Sequence, residues 1–331
     1  MISDPVTAPC EQVAIIIAKG SERQPKLSTV SAKPFDVAVI GNVGIDTNIY
    51  KPGSTIDFNV EANFTENIDY VGQAGGYASR GFAQLGYTAA FIGYVGDDHN
   101  GRFIRDELAH DGIDLSAVFV DPAGTSRSVN FMYEDGRRKN FYDGKSHMTL
   151  QPDLATCADV LKRARLAHFN IPNWARTLLP IARDLGVTIA CDLQDVTRLD
   201  DPYRADFIDY ADILFFSAAN FDSPVPFIET LLHKNPLQII VSGLGAHGCA
   251  LGTSDGIWFF EPVTMISTPV IDTNGAGDGL AVGFLSSYVL NGLSLEDSIR
   301  CGQIVARYTC TQKASSSALI TAEQLNAYCA I

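Results

Sequence analysis

Between Asp272 and Asp278 the chain reads Asp-Thr-Asn-Gly-Ala-Gly-Asp, small residues and carboxylates crowded directly ahead of an apolar helical run over residues 280–290. Neither Gly275 nor Gly277 carries a Cβ, so the backbone there can turn tightly and approach a ligand. A loop of this kind feeding a helix leaves several N–H groups unpaired, and with the helix dipole they make a site for an anion. Asp278 falls in the first helical turn, beside that anion. A carboxylate repels an anion, so its use there is as proton acceptor for a hydroxyl attacking a phosphate. The competing reading makes Asp278 a residue favoured by the helix N-terminus and Gly-Ala-Gly a turn with close helix packing. A glycine-rich strand-to-helix turn alone does not choose between them.

A second polar group, Asn42-Val43-Gly44-Ile45-Asp46, follows the apolar run 35–40 at the strand's carboxyl end, where open α/β sheets bind ligands. Asp46 is there either a hydroxyl acceptor for substrate or a turn-forming residue. Gly72-Gln73-Ala74-Gly75-Gly76 reads as a second glycine-rich turn, opening a helix over 77–85 that Gly86 ends. Asp192 is a further candidate for a phosphate-side or metal-side contact. Six histidines are dispersed without i,i+4 pairs, and His168 and His247 read as structural. Arg137-Arg138-Lys139 is either a solvated turn or a contact for a substrate phosphate. Phe131, Tyr133, Phe141 and Tyr142 either stack on a base or sugar or pack within a lid.

The elements that must position these groups follow from periodicity. Apolar strand patterns at 35–40, 89–95, 166–169, 187–191, 213–216 and 237–241 alternate with helical ones, which argues a mainly parallel sheet covered on both faces. A hairpin is expected over 248–252 and 257–260. Two excursions interrupt the rhythm. Residues 47–71 contain alternating runs at 56–60 and 67–71, and residues 128–142 flank Asp135-Gly136, a hairpin signal. Neither is a stable sheet alone, but together they suit a small lid over the site. Ser294 with Asp297 marks the start of the penultimate helix.

The 331 residues, 46% hydrophobic and 19% charged, suit a globular α/β protein with a large core. A net charge of −14 argues against a nucleic-acid partner. No apolar run reaches the roughly 18 residues of a membrane span, and the short run 13–18 lacks the basic segment of a signal peptide. Seven scattered cysteines without a C-x-x-C pair suit free thiols, and the cytoplasm is the expected location. Residues 1–34 read as an extension ahead of the fold proper.

With these segments in order, the chain resembles the PfkB (ribokinase-like) family of carbohydrate and nucleoside kinases. The resemblance is carried by Asp272 to Asp278, by Val95-Gly96-Asp97-Asp98 with Gly112-Ile113-Asp114, by Gly41 to Asp46, and by Val241-Ser242-Gly243-Leu244-Gly245-Ala246-His247-Gly248, over about residues 35–320. It implies a three-layer α/β/α domain over 35–331 with a mainly parallel central sheet and a small β lid. It also implies phosphoryl transfer from ATP, assisted by Mg²⁺, to a hydroxymethyl group on a sugar or nucleoside. By matched position Asp278 is the base, and the Gly275, Ala276 and Gly277 amides are the anion hole. Asn42, Asp46, Gly72, Gly75, Gly76 and Tyr77 line the substrate side, and Ser217, Gly243, Gly245, Gly248, Thr273 and Asn274 the nucleotide side. Asp272 lies in the loop that holds a monovalent cation such as K⁺ in some members, and family lids often carry homodimer contacts.

The chain departs from the family pattern in three places. The usual Gly-Gly, three residues, Asn falls on Gly72, Gln73 and Tyr77, unless Gly75-Gly76 serves as the pair with a shortened helix. The metal-ordering Asn-x-x-Glu falls on Ser217-Ala218-Ala219-Asn220, without the acid. The helix after the base starts Gly279-Leu280. A kinase-fold protein acting as a ligand-binding or regulatory module is therefore the alternative expectation to an active enzyme.

Overall fold

The computed structural model describes residues 33–51, 53, 57, 59–133, 138–198 and 200–331. Nine strands form the central sheet, in the order β13-β12-β11-β10-β9-β8-β1-β4-β5. Their ranges are β1 Phe35–Ile40, β4 Ala89–Val95, β5 Asp114–Val120, β8 Ala164–Phe169, β9 Thr188–Asp195, β10 Ile213–Ser217, β11 Ile239–Gly243, β12 Cys249–Thr253 and β13 Gly256–Phe260. The pairs from β11 across to β5 are all parallel, and β12 and β13 add an antiparallel hairpin at the far edge.

Strand alternation divides the core between the two faces. Val37 and Val39 of β1 face one cluster, which includes Phe82 of α1 (Gln73–Gln84), Ile104 of α2 (His99–His110), Phe284 of α7 (Ala276–Leu285) and Ile304 of α8 (Leu295–Thr309). Ala38 and Ile40 face the other, with Leu161 of α3 (Leu154–Lys162), Leu179 of α4 (Leu179–Asp184), Phe207 of α5 (Ala205–Tyr210) and Leu231 of α6 (Val225–Lys234). The chain closes with α9 (Ala322–Cys329). This is the expected three-layer arrangement.

The lid is a four-stranded sheet ordered β3-β2-β6-β7, with β2 Gly44–Tyr50, β3 Glu66–Gly72, β6 Ser126–Met132 and β7 Arg138–Asp143. β2 follows β1, and β6 follows β5. Both leave the parallel sheet at its carboxyl edge, so they meet side by side and pair in parallel, Gly44 opposite Ser126.

Several expectations need correction. The strand expected at 56–60 is not the first lid strand; Asp57, Asn59 and Val60 lie outside any strand, and Ile56 and Phe58 fall outside the described residues. Its place is taken by β2, whose pattern is inverted: the buried face carries Asp46 and Asn48. A search for apolar alternation passes over a strand whose inner face is polar. β5, with Ala117 its only fully buried residue, was likewise unmarked. The hairpin tip, residues 134–137, lies outside the described residues.

The expected glycine turn over 72–76 is also absent, because β3 runs straight into α1 and Gly75 and Gly76 lie inside the helix. A Cβ on Gly75 would sit 2.6 Å from the Asn42 carbonyl and 2.9 Å from the Phe91 ring. The glycines thus serve a close approach of α1 to the end of β1, and the shortened-helix alignment falls away.

Candidate active site

Gly275 is the N-cap of α7, with φ 78°. A Cβ there would be strained by the backbone and would lie 2.7 Å from the Tyr77 ring. Beyond it Ala276 N reaches the Thr273 carbonyl at 3.4 Å, and the N–H groups of Gly277 and Asp278 precede the first full helical bond, from Gly279 N to the Gly275 carbonyl at 2.8 Å. Gly277 is exposed, and a Cβ on it would meet nothing within 4 Å, so the space above the first turn is open. The resemblance places the anion hole at this turn.

Asp278 stands half-buried at this turn. Burial pushes its carboxyl well above the usual carboxylate range, and the nearby charge of Asp192 pushes it further, with Arg138 of the lid opposing. Asp192 lies near the carboxyl end of β9, and burial raises its pKa to about 6. Its Oδ1 accepts from Gln194 N at 2.8 Å. Two neighbouring carboxyls resist joint ionisation, so each raises the proton affinity of the other.

Ahead of the cradle, Asp272 is fully buried and accepts from three protein donors. Asn274 N bonds its Oδ1 at 2.7 Å, while Asn48 Nδ2 at 2.6 Å and the Tyr50 hydroxyl at 2.7 Å bond its Oδ2. Asn48 continues outward: Asn130 Nδ2 donates to Asn48 Oδ1 at 2.8 Å, and Asn140 Nδ2 to Asn130 Oδ1 at 2.8 Å. One amide from each of β7, β6 and β2, all pointing the same way, ends on the carboxylate that starts the anion loop. Both of its oxygens thus accept from protein donors, in the loop where the resemblance places a monovalent cation.

Asn274 was expected on the nucleotide side, but its side chain turns the other way. Its Nδ2 lies 2.9 Å from Asp46 Oδ2, 2.8 Å from the Tyr77 hydroxyl and 3.0 Å from the Tyr70 hydroxyl. Tyr77 also donates to Asp46 Oδ2 at 3.0 Å, and the two tyrosine oxygens are 2.7 Å apart. Burial raises the Asp46 pKa, opposed by the bonds from Tyr77, Gln73 N, Asn274 and Ser128. The Gln73 and Ser128 contacts are weak ones: Asp46 Oδ1 has no partner in full hydrogen-bond geometry. Gly72 is small because a Cβ would run into this carboxylate.

Asn42 donates to the Tyr142 hydroxyl of β7 at 2.6 Å, tying the first loop to the lid. Ser217 and Gly243 face each other at the ends of β10 and β11, with Gly245 and Gly248 in the turn that follows. Asn220 gives its Nδ2 to Asp195, at the end of β9, and to the Val196 carbonyl at 3.3 Å. A carboxylate from a neighbouring strand thus stands beside the residue that lacks the family's acid. His168 is fully buried against Phe82 and Phe215, and burial holds its pKa down at about 4, so it is a neutral core residue. Among the described residues no group of three or more His, Cys, Asp or Glu side chains could hold a metal alone.

Several residues of this region have no mark in the sequence: Asn170 and the three ladder asparagines, Asn48, Asn130 and Asn140. Asn170, at the carboxyl end of β8, is 1% exposed with neither amide atom partnered. The available signal was Asn130 and Asn140 at like-facing positions of the expected hairpin strands, two amides where a core face would carry apolar residues.

An open helix N-terminus with a half-buried carboxyl beside it, at the carboxyl edge of a parallel sheet and next to a small β lid, is the arrangement of the ribokinase-like class. Residues 35–322 match the pfkB family carbohydrate kinases, and the chain belongs to that family. It is 28% identical to an acarbose 7(IV)-phosphotransferase of Actinoplanes sp. over 289 residues, 86% of this chain and 95% of that one. With a 5-dehydro-2-deoxygluconokinase of Lacticaseibacillus casei it shares 26% identity, over 89% of this chain and 95% of the relative. Among solved structures, a microbiome-derived acarbose kinase superposes with a TM-score of 0.83 at 28% identity, covering 90% and 99% of the two chains. An Arabidopsis thaliana ribokinase complexed with ribose and ATP shares the fold, with a TM-score of 0.75 at 19% identity over 91% and 100%.

Proposed function

We propose that the protein transfers the γ-phosphoryl group of ATP to a hydroxyl of a sugar or sugar-like glycoside, with Asp278 as general base. The observation that carries this reading is the pairing of an open first turn at Gly277 with a carboxyl of raised proton affinity beside it. Asp278 takes the proton as the sugar oxygen attacks phosphorus. The N–H groups of Gly275, Ala276 and Gly277 meet the charge on the transferring group, so positioning and electrostatics supply most of the rate. The sugar lies between the lid base and the sheet edge, beside Asp46, Gly72 and Asn170, with Asn42 and Tyr142 at the mouth. Tyr77, Gly75 and Gly76 support this wall from behind. The nucleotide lies along Ser217, Gly243, Gly245, Gly248 and Thr273.

The oxygens around Asn220 fit Mg²⁺, a hard cation that keeps several of its waters. Asp195 is an exposed carboxylate, and Asn220 has its Nδ2 committed, which leaves Oδ1 for a metal-bound water. When bound, the metal neutralises charge on the phosphates. No step is assigned to a monovalent cation. Residues 35–331 would be the catalytic domain and 1–34 its extension. β7, the exposed edge of the lid, is where a second copy would pair. A cytoplasmic location agrees with the unpaired thiols of the described cysteines.

The relatives' names point to glycosides and keto-sugar acids rather than nucleosides. The test is ADP release with ATP and a panel of acarbose, maltose, glucose, fructose, ribose, 5-dehydro-2-deoxygluconate and adenosine. One sugar should support turnover that Asp278→Asn abolishes while ATP binding persists. Turnover at the wild-type rate in that variant would remove Asp278 as base. No ADP release with any member would favour the regulatory alternative.

A further inference from the structure

Gln73, the first residue of α1, has φ 62°, a left-handed conformation that non-glycine residues adopt only at a cost in stability. A backbone of this kind accepts a glycine without loss, and a glutamine stands there instead. Its side chain is turned under the lid. Oε1 accepts from the Ser126 hydroxyl at 2.9 Å, and that hydroxyl also lies 2.9 Å from the Val43 carbonyl. Gln73 is 8% exposed, and its Nε2 is a buried donor without a partner. A buried donor left unpaired is costly, so a partner is expected.

Gly44 lies directly opposite. A Cβ there would run into Gln73 Nε2, so the glutamine amide fills the space that a side chain at position 44 would take. That space lies on the face of β2 that carries Asp46 two residues on, the face turned toward Asn274. Three unpaired groups therefore line the same region: the Gln73 donor, the Asp46 Oδ1 acceptor, and the Asn170 amide, which lies against Gly41. Hydroxyls both donate and accept, so a polyol satisfies such a set where an apolar group cannot.

We propose that Gln73 is a specificity-determining residue, whose side-chain amide donates a hydrogen bond to a sugar hydroxyl from the position vacated by Gly44. The inference rests on the sugar-kinase reading above. A site built to bond a hydroxyl rejects analogues that lack it, because its own polar group is then left unpaired.

The experiment compares the full wild-type chain with Gln73→Gly and Gln73→Met, by thermal unfolding and by ADP release over the same sugar panel. Gln73→Gly relieves the left-handed strain, so it should unfold no earlier than wild type. Its kcat/KM for the best sugar should fall roughly tenfold or more, chiefly through the sugar KM, with the ATP KM unchanged. Gln73→Met keeps the bulk without the donor and should show the same loss. Wild-type kcat/KM in Gln73→Gly, or a fall in stability together with a rise in both KM values, would overturn the proposal. If the wild type releases no ADP with any sugar, the kinase reading fails separately, and the rise in unfolding temperature with acarbose or glucose decides. A rise that Gln73→Gly lacks supports the proposal; an equal rise in both, or none in either, refutes it.

Discussion

Asn130→Leu tests whether the amide ladder does more than hold the lid together. The substitution keeps the approximate shape and removes both bonds of the middle rung, each 2.8 Å long. Asn140 is exposed and finds water. Asn48 is fully buried, so its Oδ1 is stranded. An unpaired buried acceptor costs about 1–3 kcal/mol, and the lost bonds add about 1 kcal/mol, for a total near 2–4 kcal/mol. In a domain of this size each kcal/mol lowers Tm by about 2 °C, so a fall of about 4–8 °C is expected. Asn48 also donates to Asp272, whose other oxygen holds Asn274 N. Slack in the ladder therefore reaches the anion loop, and kcat at 25 °C should fall about tenfold, equivalent to about 1.4 kcal/mol of transition-state stabilisation. Asn130→Asp refines the test. Ionised, it sets two acceptors face to face; protonated, it donates to Asn48 Oδ1 and restores the rung. Burial raises such a carboxyl, so the penalty is absent at low pH and appears as pH rises through the folded-state pKa. The variant-to-wild-type ratio of kcat should then climb as pH falls from about 8 to about 5.5. A lowered Tm with unchanged kcat, and a flat ratio, would reduce the ladder to scaffolding.

Asp192→Asn removes the charge that helps hold the Asp278 carboxyl high, so the acid limb of kcat should move to lower pH and stability at neutral pH should rise. An unmoved limb in the pH–rate profile would show that Asp192 does not act on the base. The two loop glycines should part company. Gly277→Ala has open space and a helical position, so thermal unfolding should show unchanged or slightly raised stability, by up to about 1 kcal/mol, while kcat collapses because the methyl enters the anion cradle. Gly275→Ala meets the Tyr77 ring from a φ of 78° and should lose both stability and activity. Equal behaviour of the two variants would place the open cradle elsewhere.

The parts legible in the sequence are those where local chemistry and the fold agree. Gly86 stops α1 with φ +87°, Ser294 caps α8 by accepting from Asp297 N at 3.1 Å, and β4 lies where its apolar run put it. The Asp272–Asp278 loop is readable for the same reason, since small residues, a carboxylate and a helix start are all local features. β2 is not, because its inner face is polar for the sake of groups far away in sequence: Asn48 pairs with Asp272, 224 positions on. The Asn220–Asp195 contact is hidden in the same way, because it joins the ends of two adjacent parallel strands whose connection is long.

The two changed residues of the first glycine segment, Gln73 and Tyr77, also prove to be one physical cluster rather than separate losses. Gln73 stands where the second glycine of the usual pair would be, and its own backbone is left-handed, a conformation glycine adopts at no cost. Its side chain occupies the space beside Gly44. Tyr77 stands where the family's asparagine would be, yet its ring supports Gly275 while its hydroxyl joins Asp46 and Asn274. A tyrosine reaching Asp46 from behind and a glutamine reaching across from beside Gly44 change the shape of the same wall, one by filling and the other by offering a donor. On the proposed reading, the hydroxyl pattern of the substrate would be set by these residues together, while the transfer step would stay with Asp278 and the first turn of α7.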